Sequence, residues 1–511
     1  GDVLDGVRDD APASVVARAF RVRCRTSRLT GPQIQHPASE KGCALKADRS
    51  SADAKKSAKK SADKRNQTAS TSKKRTYAWR NWSGAVSDES QLSAGPTSET
   101  AVKALVIGAG GSGLKVKTVG SGHSFNDIAT TDGLRMHFRD YTGLVSVNSE
   151  TNVATFRAGT PISKIPELLR PHGLALANQG DLAAQTIAGA ISTGTHGTGL
   201  RFTGLSGAVR SLRMVLADGS ILYCDARTHP ELFTFGRLGI GALGVILEVG
   251  LECVPMFRVA ADEEVMPVDD VLDSFVAQAR EHDHFSFLWY PHSTTALVKR
   301  NRRLREGEEA EGYAPQNAFS RFLDEALVQT WGRQVSAAVG TMAPSMVPKV
   351  NQFTATLMAR KKFTDDSHQV FAQSHKVRFN ELEYAVPLAD GPEVVREIRA
   401  LIERHDWRVS FPLEVRVTAA DDIPLSPAYE RESAYISVHR YVREPHDEYF
   451  GEMEAVLHAA GGRPHWGKLH TLGARELSAL YPRFDEFVAL RDEVDPERVF
   501  HNAYLDRVLG A

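Results

Sequence analysis

The chain has 511 residues, of which 42% are apolar and 24% charged, with a formal net charge of −1. That length exceeds one average core and predicts two or three domains, while the near-neutral balance gives no global drive towards nucleic acid or an anionic membrane. Four cysteines without a Cys-x-x-Cys pair or Cys/His zinc spacing argue against a disulfide scaffold or a structural metal, so no metal is expected.

Between Lys46 and Arg75 there are eleven basic and three acidic residues and no aromatic one. Such a segment buries too little apolar surface to offset its ordering entropy, and residues 1–75 are expected to form a solvated leader. A basic tail touching nucleic acid or a membrane surface is the other reading of the same residues. The first thirty residues interleave Asp and Arg where a signal peptide needs an apolar centre, and no apolar run nears the roughly 20 residues of a membrane helix. A cytoplasmic protein is expected, with peripheral membrane contact left open.

Order is predicted from about Tyr77, where Trp79 and Trp82 supply large apolar side chains. A helix follows Pro96: Glu99 sits in its first turn, Val102, Leu105, Val106 and Ala109 share one face, and Gly110-Gly111 ends it. Short strands are predicted over 115–119, 143–147 and 153–158, and a second helix over 161–172. Asp218-Gly219 predicts a hairpin between strands at 211–217 and 220–225, with both central turn residues at positive φ. A Gly-rich turn into a buried strand is read over 240–254. Beyond Pro255, longer amphipathic stretches such as 268–282 and 392–404 mix with strands such as 285–290. This is an α+β chain, divided as a first domain at 76–254, a second α+β domain at 255–450, and a segment at 451–511 expected to close on the first.

Gly108-Ala-Gly110-Gly-Ser-Gly113 matches the G-x-G-x-x-G fingerprint of a dinucleotide-binding βαβ unit. That motif needs a helix opening at the glycines, whereas here the helical periodicity precedes them, so a helix C-cap and turn are expected instead. A nicotinamide-dependent dehydrogenase would require this fingerprint to be genuine.

Two other loops carry the chemistry. Val119-Gly-Ser-Gly-His-Ser-Phe125 leaves a predicted strand as a glycine-bracketed turn whose backbone N–H groups can converge on a diphosphate. Thr186-Ile-Ala-Gly-Ala-Ile-Ser-Thr-Gly-Thr-His-Gly-Thr-Gly199 is read as a second, hydroxyl-rich surface of the same kind. Together they resemble the FAD-binding domain of the vanillyl-alcohol oxidase superfamily. The rest of the chain after residue 76 resembles its sugar-lactone branch, with gulonolactone, galactonolactone and arabinonolactone oxidoreductases and the related alditol oxidases. The landmarks are Glu414-Val-Arg416, His439 and Pro464-His-Trp-Gly-Lys468.

The resemblance implies a two-subdomain FAD-binding domain followed by an α+β substrate (cap) domain. It implies flavin contacts from Gly120, Ser121, Gly122, His123 and Ser124, from Thr186, Gly189, Thr193, Gly194, Thr195 and His196, and from Ile246 and His465. It also implies that His123 bonds covalently to the flavin; a neutral imidazole is a competent nucleophile for that role. Glu414 and Arg416, at i and i+2 of a predicted strand, point to one face. With Lys468 and His439 they are expected to bind a sugar-lactone or polyol, accept its hydroxyl proton and offset charge on the reduced flavin. Gly180, in Asn178-Gln-Gly180-Asp181, leaves the expected reacting edge open, which permits oxygen as acceptor but suits a dehydrogenase with a protein or dye acceptor equally. Asp181 departs from the serine of alditol oxidases and favours an aldono-1,4-lactone over an alditol. A non-enzymatic or nucleic-acid-binding module would leave the Glu414, Arg416 and Lys468 cluster without a purpose.

Overall fold

A computed structural model describes residues 76–316, 342–357, 360–372 and 377–510. The leader expected over 1–75, with Cys24 and Cys43, lies outside the described residues.

The chain enters through a two-stranded hairpin, Tyr77–Arg80 against Ser87–Ser90. Helix Glu99–Gly110 follows, opened by the Ser98 hydroxyl accepting the Ala101 N–H at 3.2 Å and burying Val102, Val106 and Ala109. Gly108 and Gly110 lie inside this helix and Gly113, at φ 68°, turns the chain out of it. The fingerprint glycines therefore end a helix, as the periodicity predicts.

Three parallel strands, Leu92–Ala94, Leu134–His137 and Val116–Val119, form one small sheet. The last of them delivers the chain into the Gly120–Ser124 loop. A second sheet orders Ile221–Asp225, Val209–Val215, Val245–Glu252, Val153–Arg157 and Leu144–Asn148, all antiparallel. The Asp218-Gly219 hairpin forms, but only Gly219 takes positive φ, at 81°. The turn runs from Leu216, whose carbonyl accepts the Gly219 N–H at 3.0 Å, so one left-handed glycine suffices where two such residues were expected.

The predicted helix at 161–172 and the amphipathic stretch at 268–282 are both broken. The 161–172 stretch becomes an α-helical turn, Ile165–Leu169, between 3₁₀ turns, because Pro166 and Pro171 each remove a backbone donor. The 268–282 stretch divides at Ser274, which leaves helical geometry (φ −98°, ψ 4°) while its hydroxyl donates to the Asp270 carbonyl. Conversely, the second glycine-rich surface is not a loop throughout: Ile187–Thr193 is helical and ends at Gly194, left-handed at φ 82°.

The second half is built on a nine-stranded sheet, ordered Ala314–Pro315, Lys361–Asp366, Arg258–Pro267, Thr295–Arg303, His284–Trp289, Leu413–Thr418, Ser433–Tyr441, Phe379–Pro387 and Arg463–Pro464. Its helix Gly391–Arg404 buries Val394, Val395, Ile398, Leu401 and Ile402, an apolar stripe at helical period. The register places Glu381 opposite His439, and Glu383 and Glu414 on either side of Ser437. The carboxyl-terminal segment then returns to the first half. Val116 donates its N–H to the Val499 carbonyl at 2.7 Å, and Asn502 Nδ2 donates to the carbonyls of Asp127, Ile128 and Thr130. One hydrophobic cluster runs through both halves, from Phe156 and Leu247 to Phe287 and Val415.

Candidate active site

Two cavities adjoin, sharing His123, Ser124, Gln185 and Thr193 in their walls. The one lined by the Gly120–Ser124 loop has the lining of a nucleotide site. Glycines 120, 122, 159, 189, 241 and 244 line it, and a Cβ at Gly120 would collide with the Thr186 hydroxyl. Gly122 holds φ 72°, a conformation that costs other residues energy. Hydroxyls of Thr118, Ser121, Thr186, Ser192 and Thr193 supply polar contacts, and Ile128, Phe138, Ala158, Ile240 and Ile246 supply an apolar wall. Lys117 adds a buried cation whose Nζ donates to the carbonyls of Phe500 at 3.2 Å and Gly241 at 3.4 Å. Burial pushes that amine down to about 7 against the pull of Asp495, and an anionic diphosphate would supply a counter-charge. A long cofactor with a charged middle and apolar ends matches this donor set, and FAD is such a molecule.

The second cavity gathers Glu414, Arg416, His439 and Lys468 from three separate stretches of chain. Glu414 and Arg416 project from one face of Leu413–Thr418, as the spacing predicts. They are not a surface ion pair: Arg416 Nη2 lies 3.2 Å from Glu414, and Nη1 lies 3.6 Å from Asp181, all three side chains being largely buried. Burial opposes the guanidinium charge, but Glu414 and Asp181 outweigh it and hold Arg416 firmly protonated.

Beneath them lie two carboxylates absent from the sequence reading. Glu381 and Glu383, at i and i+2 on Phe379–Pro387, are 3% and 2% exposed and face the same cavity. Glu381 contacts the Lys468 ammonium directly and lies 3.5 Å from His439 Nε2. Glu383 sits 3.3 Å from His196 Nε2, 3.9 Å from Lys468, and accepts the Ser437 hydroxyl at 2.7 Å. Burial pushes Glu381 up, yet Lys468 and His439 together hold it down to about 2. Glu383 is likewise held well below the carboxylate range, chiefly by His196 and Lys468 against burial. Lys468 in turn is raised, because both carboxylates outweigh its burial. The Asn380-Glu-Leu-Glu383 alternation was the available signal, the same i, i+2 pattern that marked Glu414 and Arg416.

His439 Nδ1 faces the Pro412 carbonyl at 2.8 Å, and His196 Nδ1 faces the Gly197 carbonyl at 2.9 Å, so each ring presents Nε2 to its glutamate. His465 differs: Nδ1 accepts the Gly467 N–H at 3.0 Å, and burial pushes the ring down to about 3, leaving it neutral. His196, Glu383 and His465 present metal-ligand atoms within 4.8 Å of one another. With His465 Nδ1 engaged and Lys468 beside Glu383, an ammonium already supplies the local positive charge.

The expected flavin contacts divide between the cavities. Gly120, Ser121, Gly122, Thr186, Gly189 and Ile246 line the nucleotide cavity. His123, Ser124 and Thr193 line both, whereas Thr195, His196 and His465 line the charged cavity alone. Gly194 lines neither; it caps the Ile187–Thr193 helix in a left-handed turn, where an added Cβ would press on Leu238. Gly180 and Asp181, expected at the reacting edge, line the charged cavity, and Trp82 and Gln185 join its wall without a predicted place there.

A family model described as D-arabinono-1,4-lactone oxidase matches residues 249–508, and one described as FAD binding domain matches residues 91–225. The chain is 36% identical to L-gulono-1,4-lactone dehydrogenase of Mycobacterium tuberculosis, over 84% of this chain and 99% of that protein. It is 32% identical to L-gulonolactone oxidase of Mus musculus, over 84% and 98% of the two chains. Among solved structures, cholesterol oxidase from Brevibacterium sterolicum superposes with a TM-score of 0.72 at 16% identity, covering 85% of this chain and 97% of that one, a likeness of fold.

Proposed function

The chain belongs to the D-arabinono-1,4-lactone oxidase family of FAD-dependent oxidoreductases, and from that premise we propose that it oxidises a hydroxyl of an aldono-1,4-lactone of the gulono, galactono or arabinono type. One observation carries the reading: Glu414, Arg416, His439 and Lys468 converge on a buried cavity that shares His123 with the nucleotide cavity. The named relatives are lactone oxidoreductases, so the alditol alternative is set aside.

FAD, when bound, supplies the acceptor for the hydride that leaves the substrate carbon. The protein's part is to bind, orient and manage protons. Glu414 accepts from lactone hydroxyls and the Arg416 guanidinium donates to ring or carbonyl oxygens, its plane fixed by Asp181 on the far side. His439 is placed to receive the hydroxyl proton at Nε2, where Glu381 compensates the charge it acquires. Lys468, held charged by Glu381, supplies positive potential beside developing negative charge. Replacing Glu414 with Gln should sharply reduce turnover while flavin content stays intact; unchanged turnover would sink this assignment.

We further assign His123 as the residue that carries the flavin covalently, supported by its place in the walls of both cavities. Acid-precipitated protein should keep its yellow colour, and colour released to the supernatant would refute the bond. The relatives include both a dehydrogenase and an oxidase, and a Cβ at Gly180 would stand 3.0 Å from the His196 carbonyl and the Thr195 methyl, so a larger residue there would press on the second loop. A lactone screen with oxygen, then with cytochrome c or a dye under nitrogen, reads substrate and acceptor together.

A further inference from the structure

Trp79-Arg80-Asn81-Trp82 precedes both family-model matches, the earlier of which begins at residue 91, yet it reaches the walls of the two cavities. Its contacts are concentrated on the loop that carries His123. The Trp82 N–H donates to the Gly122 carbonyl at 2.7 Å, and Asn81 Nδ2 donates to the Ser124 carbonyl at 3.0 Å. The residues immediately before and after His123 are therefore both gripped by this hairpin. Asn81 is itself immobilised, 4% exposed, with Oδ1 accepting the N–H groups of Gly84 at 2.9 Å and Val86 at 3.1 Å. Trp79 closes the grip from beneath, its ring 3.3 Å from where a Cβ on Gly122 would stand.

Between these two anchors the imidazole of His123 stacks on the Trp82 indole, with ring centroids 5.3 Å apart and planes inclined by 30°. The indole is held in turn by the edges of Phe379 at 5.3 Å and Phe125 at 6.3 Å. Backbone anchors restrict where the His123 Cα lies, and a stacked aromatic plane restricts the imidazole's rotation.

We infer that the Tyr77–Ser90 hairpin is a positioning element for His123, with Asn81 fixing the loop and Trp82 fixing the imidazole plane from which the flavin is attached. The inference rests on the covalent reading of His123. Attachment joins an imidazole nitrogen to the flavin 8α-methyl carbon; the nitrogen and the methyl each lose a proton, and the electron pair released reduces the ring system before passing to the enzyme's own electron acceptor. A near-attack orientation of the imidazole speeds that step without entering the bond itself.

The test compares wild type, Trp82→Leu and Trp82→Phe, each prepared as apoprotein from riboflavin-depleted cells and mixed with FAD. Quenching of FAD fluorescence reports non-covalent uptake, and flavin remaining in the acid precipitate reports attachment over time. Trp82→Leu is expected to take up FAD and attach it about five- to tenfold more slowly, with Trp82→Phe recovering to within about twofold of wild type. Equal rates in wild type and Trp82→Leu would overturn the inference, as would a Phe variant as slow as the Leu variant. Loss of FAD uptake in Trp82→Leu would also overturn it, by assigning Trp82 to holding the cavity together. Wild type that releases all its flavin into acid refutes the His123 bond itself, a separate and recognisable result.

Discussion

Glu381→Gln tests the electrostatic floor of the charged cavity. The wild-type carboxylate compensates a directly contacting Lys468 ammonium and lies 3.5 Å from His439 Nε2. One charge pair at that separation is worth about 5 kcal/mol at an effective dielectric near 20, and removing one partner of a buried pair costs about 3–5 kcal/mol net. The variant should lose that much stability in urea unfolding near neutral pH. Glu381 is held down to about 2, below its unfolded value, so its contribution is full above about pH 4.3 and fades as pH falls towards 2. The variant should lack that acid limb. Lys468→Met alone should cost a similar amount by stranding Glu381, while Glu381→Leu combined with Lys468→Met should recover at least half of either single loss. A Glu381→Gln protein within about 1 kcal/mol of wild type, together with a double variant no more stable than Lys468→Met, would refute the reasoning.

Three further outcomes are expected. Burial holds Lys117 at about 7, below its unfolded value, so the penalty for a buried ammonium is complete below pH 7 and vanishes as pH rises towards 10; apoprotein stability should climb over that window. Lys117→Met should flatten the climb, stabilise the apoprotein at pH 6 by on the order of 4 kcal/mol, and weaken FAD binding, all readable by urea unfolding at pH 6 and 9 and by FAD titration. Glu414→Gln should lower turnover at least about 100-fold with an unchanged flavin spectrum. Gly120→Ala should lower FAD affinity at least about tenfold, because its methyl meets the Thr186 hydroxyl at the cradle, and equilibrium dialysis measures it.

Local signals made much of this architecture legible. The Glu99–Gly110 helix follows from its apolar stripe and the Glu99 in its first turn, and the strand placing Glu414 and Arg416 on one face follows from period-two alternation. Where two local rules compete, the stronger one decides: the prolines at 166 and 171 break a stretch whose apolar spacing favours a helix. Gly194 resembles a ligand contact in sequence and serves a helix terminus in space, since a left-handed cap and a close approach both select glycine. Glu381 and Glu383 were hidden for a different reason. Their partners Lys468, His439 and His196 are far away along the chain, and only the nine-stranded sheet and the carboxyl-terminal turn bring those charges together. Trp82 was visible as a large apolar residue, but its place over His123 depends on hydrogen bonds spanning some forty residues.

The most direct measurement is anaerobic titration of the purified holoprotein with gulono-, galactono- and arabinono-1,4-lactone, followed in the visible flavin bands. The account predicts a yellow protein whose bands bleach with at least one of these lactones, and a Glu414→Gln variant equally yellow but bleached far more slowly. Protein that is colourless and takes up no FAD, or a variant bleached as fast as wild type, would contradict it.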